Sequence, residues 1–130
     1  MRRISITLPE ETFRTLEELS RKTGITNRSR IIADAIMCFS SMQLDDETDY
    51  AGAVIIYYNH SKGETTKALM ESQHHFLGEI RATTHIHLTR ENCIDVLTII
   101  GKGAAIKKLI GDLRKVSGVI TVQYSLVELT

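Results

Sequence analysis

Near its start the chain reads Arg3-Ile4-Ser5-Ile6-Thr7-Leu8, a polar–apolar alternation that describes one half-buried strand with Arg3, Ser5 and Thr7 on its outer face. Nothing between it and residue 44 reads as a second strand. Pro9 suits the first position of a helix, and Glu10 and Glu11 suit the positive end of its dipole. Phe13, Leu16 and Leu19 supply that helix with an apolar stripe to about Lys22, and Gly24 ends it. Asn27 is a good N-cap for a second helix, Arg28 to about Ser41, with Ile31, Ile32, Ala35, Ile36 and Phe39 inward. A lone strand cannot leave its backbone N–H and C=O groups unpaired, so a twofold partner is expected to donate the matching antiparallel strand. Residues 1–44 are therefore read as a module that exists as a dimer.

Beyond it the hydrophobic pattern changes character, and the 130 residues are read as two small modules. Modules of roughly 40 and 80 residues bury a low fraction of their surface, so oligomerisation is expected to complete both. The formal net charge of zero argues against a general polyanion binder, yet it averages unlike segments. The first 30 residues carry Arg2, Arg3, Arg14, Arg21, Lys22, Arg28 and Arg30 against Glu10, Glu11, Glu17 and Glu18. Residues 45–50, with Asp45, Asp46, Glu47 and Asp49, are read as a solvated linker without a binding role. No apolar run reaches the ~18 residues that span a bilayer, and Met1-Arg2-Arg3-Ile4-Ser5-Ile6 lacks the apolar block of a signal peptide, so a cytoplasmic protein without a membrane partner is expected. Cys38 and Cys93 lie in regions of different character, which makes reduced thiols the default.

The remaining residues, 51–130, alternate strand and helix patterns. Ala51 to Tyr58, Ile80 to Leu88, Cys93 to Ile100 and Val119 to Leu126 read as strands, and Glu64 to about Gly78 and Ala104 to about Val116 as helices. The order βαββαβ predicts a ferredoxin-like sheet with helices on one face, and so an α+β protein. Apolar residues point both ways from the strands, so a partner is expected to cover the second face.

Within this module, Thr83-Thr84-His85-Ile86-His87-Leu88 alternates, and both imidazoles leave the same face of a strand about 6.6 Å apart at Cα. With five loop residues, Leu88 to Asn92, Cys93 pairs opposite His87 and Asp95 opposite His85, all on one face; a four-residue loop would turn Cys93 away. His74 lies upstream, on the helical stretch Ser72-Gln73-His74-His75. Three imidazoles and a thiolate suit zinc, copper or nickel and not calcium or magnesium, and spacing alone does not choose among the three. The bland alternative is a pair of exposed strand histidines beside a small buried cysteine. No nucleophilic triad, phosphate loop or paired-carboxylate motif is visible, and no general base sits beside an open coordination position, so an enzyme is not expected.

Strand, Pro-started helix, Gly stop and Asn-Arg-Ser cap resemble the ribbon-helix-helix repressors, whose paired strands enter the DNA major groove. The resemblance implies double-stranded DNA as partner, with Arg3, Ser5 and Thr7 facing base edges and the helix start at Asn27, Arg28 and Ser29 holding a phosphate. Both modules in this order, with Gln73-His74-His75, His85-Ile86-His87 and Cys93, resemble the nickel-responsive regulator (NikR) family over nearly the whole chain. That resemblance implies an ACT-like second domain and a homotetramer built as a dimer of dimers. It also implies one square-planar nickel(II) per chain, held by His85, His87 and Cys93 of one chain and His74 of another. The expected function is repression of nickel-uptake genes when metal is bound; the alternative is a ribbon-helix-helix regulator sensing zinc, copper or a small molecule. Tyr58 and His60 match positions near the family's metal site, and Asp95 joins them as a residue supporting the site or a secondary one. Lys62 matches a position that can touch the DNA backbone. The chain departs from the family at Arg30, where many members have a glutamate that helps Asp34 bind a secondary cation; an Arg30–Asp34 pair is expected to replace or abolish that site.

Overall fold

The computed structural model describes residues 1–61 and 63–130, so Lys62 lies outside the described residues. The chain forms two compact units, Met1–Ser41 and Met42–Thr130.

The first unit contains helices α1 (Glu10–Thr23) and α2 (Arg28–Ser41). Pro9 precedes α1 and accepts the Phe13 N–H at 2.9 Å, the acids Glu10 and Glu11 occupy the first turn, and Gly24 closes the helix at φ 71°. That left-handed turn is one glycine adopts without penalty. Asn27 Oδ1 accepts the N–H of Arg30 at 3.3 Å, the side-chain cap expected for α2. Two expected features stay incomplete within a single chain, as a module completed by a partner requires. Residues 3–8 form no ladder, because a strand is defined by its hydrogen-bonded neighbour and the unit offers none. The stripes are also only partly covered: Leu16 and Ile31 are buried, but Leu19, Ala35, Ile36 and Phe39 are exposed. Two short helices cannot enclose each other's apolar faces. Ile6, Leu16, Leu19, Ile31 and Ile36 line an apolar groove of about 230 Å³ between them.

The second unit runs β1 (Asp49–Asn59), α3 (Glu64–His74), β2 (Ile80–His87), β3 (Asn92–Lys102), α4 (Gly103–Arg114) and β4 (Val119–Glu128). The strands form one antiparallel sheet in the order β2-β3-β1-β4, the ferredoxin-like topology expected. Alternate residues Val54, Ile56 and Tyr58 of β1 and Cys93, Leu97 and Ile99 of β3 are buried, in one core with Leu69 of α3 and Ile106, Leu109 and Leu113 of α4. The opposite face, including Ile55 and Ile100, remains part-exposed. Along β2 every residue from Arg81 to His87 is exposed, so the edge of the sheet projects beyond the core.

The 45–50 segment differs from the solvated linker expected of it. Tyr50 is buried in β1 and its hydroxyl accepts the Asp45 N–H at 2.9 Å, while Leu44 is buried in the same core. The carbonyls of Thr48 and Asp46 accept the N–H groups of Gly103 and Ala104 at 2.9 and 3.1 Å, and Asp46 Oδ1 accepts from Lys107 Nζ at 2.9 Å. Backbone carbonyls of this segment thus cap α4, whose first N–H groups have no partner within the helix. The side chains of Asp45, Asp46, Glu47 and Asp49 stay exposed, as in a solvated run; the backbone carbonyls and Tyr50 are what the packing engages, and spacing along the chain does not announce that.

Gly103 is where this segment and α4 touch: a Cβ there would clash with the Asp45 carbonyl oxygen. Gly103→Ala is expected to destabilise the second unit by about 1–3 kcal/mol, read as a lower urea midpoint at an unchanged slope.

Candidate metal centre

The β2–β3 hairpin pairs His87 with Cys93 and His85 with Asp95, the register expected from the loop length. Opposite residues share a face, so all four side chains leave the helix-bearing side of the sheet. In the β1–β3 register Tyr58 lies opposite Cys93, which brings a third strand to the site.

Three potential donors converge: His60, His87 and Cys93 each offer a ligand atom within 4.8 Å of the others. Cys93 Sγ lies 3.4 Å from His87 Nδ1. His60 enters from the segment after β1, where its backbone N–H donates to the Glu91 carbonyl at 2.8 Å. Its Nε2 is buried and lacks a hydrogen-bond partner among the described residues.

His85 stands slightly apart. Its ring centroid is 4.5 Å from that of His87, edge to face, and its Nδ1 is 2.6 Å from Asp95 Oδ1. The Tyr58 hydroxyl donates to the same Asp95 oxygen at 3.1 Å and lies 3.2 Å from His85 Nδ1. Burial, the Asp95 carboxylate and Cys93 together push the Tyr58 phenol far above its ordinary range, so it remains a hydrogen-bond donor. Burial likewise raises the Cys93 thiol, and Asp95 adds to the rise. His74 and His75 are exposed at the end of α3 and belong to no such cluster among the described residues.

Imidazole nitrogens around a buried sulfur suit a late transition metal and offer little to a hard cation, which wants oxygen. The orphaned His60 nitrogen fits the same reading, since a buried polar atom without a partner is costly. Sequence reasoning placed Asp95 opposite His85 but missed its bond to Tyr58. The β1–β3 register behind that contact is set through a crossover, and no short loop announces it.

The residues expected at DNA lie elsewhere. Arg3, Ser5 and Thr7 are exposed in the N-terminal segment before α1, and Asn27 and Ser29 are exposed at the start of α2. Arg28, exposed like its neighbours, reaches across to α1: it lies 3.7 Å from Glu17 Oε1 and 5.0 Å over the Phe13 ring. Arg30 Nε bonds both oxygens of Asp34 at 3.2 and 3.4 Å, so the expected i, i+4 pair forms.

Fold and site together define a class: a ribbon-helix-helix regulator joined to an ACT-like domain. A model described as the NikR C-terminal nickel-binding domain matches residues 51–127, and one described as ribbon-helix-helix protein, copG family, matches residues 2–37. The chain belongs to the nickel-responsive regulator (NikR) family. A relative in Pyrococcus abyssi, provisionally named a nickel-responsive regulator, is 34% identical over 120 residues, 90% of this chain and 86% of its own length. Another in Methanocaldococcus jannaschii, with the same provisional name, is 31% identical over 128 residues, 96% of this chain and 91% of its own. Among solved structures, the ACT domain of a GTP pyrophosphokinase from Chlorobium tepidum superimposes with TM-score 0.52 at 25% identity, covering 60% of this chain and all of that one. No described helix is long and apolar enough to cross a membrane.

A metal bound through Cys93 would displace the thiol proton, which the raised pKa keeps in place without an ion. Affinity for nickel should then rise by about tenfold per pH unit while pH stays below the thiol's pKa. Competition titrations against a chelator between about pH 7.5 and 8.5, above the usual imidazole range, test this; a flat profile would mean that Cys93 is not a ligand.

Proposed function

We propose that this chain is a nickel-dependent repressor of nickel-uptake genes, acting as a homotetramer that binds one nickel(II) per chain. The single observation that carries this reading is the register of β2 on β3, which sets His85 and His87 on the same face as Cys93. In the proposed site these three residues and His74 from another chain provide three nitrogens and one sulfur. Nickel would supply no chemistry beyond fixing these donors, since four protein ligands leave no open position for a substrate. His74 is exposed, which a ligand donated to another chain requires.

Two further features support an assembly. The groove between α1 and α2 is apolar and open, and Ile4 and Ile6 beside it are exposed at 79% and 51%, a surface a second copy would cover as the two ribbon strands pair. The part-exposed second face of the sheet gives a further apolar surface for joining dimers. Arg3, Ser5 and Thr7 would read base edges, and the α2 start at Asn27 to Ser29 would take a phosphate once Arg28 leaves Glu17.

A ligand shared between chains makes metal binding and quaternary arrangement one equilibrium, with a coupling of about 1–3 kcal/mol, or about 5- to 150-fold in operator affinity. Gel-shift titration of an uptake-gene promoter at stated salt, with and without nickel, tests the proposal. Cys93→Ser and His74→Ala should lower both nickel affinity and nickel-enhanced DNA binding, while Arg3→Ala should weaken DNA binding and spare nickel uptake. Operator binding indifferent to nickel in the unmodified protein would refute the switch. Zinc-responsive binding, with a site lacking the visible bands of planar nickel, would favour a zinc sensor.

A further inference from the structure

The two strand histidines are held differently. His87 has the Cys93 sulfur 3.4 Å from its Nδ1 and no carboxylate partner among the described residues, whereas His85 Nδ1 lies 2.6 Å from Asp95 Oδ1. Two polar atoms that close share a proton, and because this oxygen already accepts from the Tyr58 hydroxyl, the proton between them is assigned to the ring nitrogen. Asp95 is itself held. It is buried at 8% exposure, sits opposite His85 across the hairpin, and receives the Tyr58 hydroxyl at 3.1 Å on the same oxygen. The phenol, anchored on the central strand β1, has its oxygen 3.2 Å from His85 Nδ1 as well, so it flanks the His85–Asp95 bond.

We propose that Asp95 and Tyr58 are positioning residues that hold His85 in the Nδ1–H form and leave Nε2 as its only metal-binding atom before any ion arrives. Metal-ligating histidines commonly donate their second ring N–H to a carboxylate, which fixes both tautomer and orientation and raises the basicity of the ligating nitrogen. Here that arrangement exists at one histidine of the pair. His85 is preset through Nε2, and His87, whose Nδ1 is the nitrogen near the thiol, keeps either tautomer. The inference deepens the nickel reading above, yet its first part concerns the metal-free protein and stands or falls without it.

The test has two arms. In metal-free protein near pH 8, long-range ¹H–¹⁵N correlation spectra distinguish the tautomers of neutral imidazole. His85 is expected to show a protonated Nδ1 and a bare Nε2, and Tyr58→Phe should reduce that preference. A protonated Nε2 on His85 would overturn the proposal outright, whatever metal the site takes. In the second arm, Asp95→Ala is expected to lower nickel affinity about 10- to 100-fold while the thiolate charge-transfer band is kept, because the ligands themselves are unchanged. Asp95→Asn, which keeps size and one acceptor oxygen, should recover part of the loss. Unchanged affinity in both variants would also overturn the positioning role. Failure of the unmodified protein to bind nickel would instead count against the proposed function, with the tautomer result still deciding this inference.

Discussion

The pairing of His87 with Cys93 across the β2–β3 hairpin is the constraint on which the rest of this protein depends. Side chains alternate along a strand, so a slip of one residue would put the thiol and the two imidazoles on opposite faces of the sheet. The same pairing sets Asp95 opposite His85 and, through β1, Tyr58 beside both. Five side chains from three strands therefore owe their proximity to one loop length and one crossover.

The location of this cluster follows from how small the unit is. Helices α3 and α4 cover the middle of the sheet, where Val54, Leu97 and Ile99 are fully buried, but the edge strand β2 is left exposed. Cys93 and Asp95 sit at the margin of that core, buried themselves and adjacent to exposed imidazoles. A thiol and a carboxylate held there are desolvated enough to be costly alone and close enough to the surface to receive an ion. A site at an uncovered margin also suits ligation by another chain, which connects the fold to the proposed tetramer.

The first unit shows incompleteness of another kind. Its helices are well defined by Gly24 and the Asn27 cap, but their stripes stay half open and the N-terminal strand pattern forms no ladder. Local signals suffice for helices, because their hydrogen bonds are internal; a ribbon strand cannot exist without its neighbour. The apolar groove and the unpaired segment thus express one deficit, which a second copy would remove.

Much of the architecture was legible in the chain itself. Helix limits could be read from caps and a stop glycine, the βαββαβ order from a change of hydrophobic period, and the hairpin register from its loop, since all three are local. The resemblance of residues 74–93 to one family's ligand pattern pointed to nickel, which donor chemistry alone left open among three metals. Tertiary structure decided what depends on distant neighbours. It made Asp45 to Tyr50 a cap on α4 where composition read as linker, drew His60 into the cluster with His87 and Cys93, and bonded His85 to Asp95 beneath the Tyr58 hydroxyl. Acids, histidines and a tyrosine carry no sign of which partner they will meet, because that partner is set by strand order and helix packing rather than by spacing along the chain.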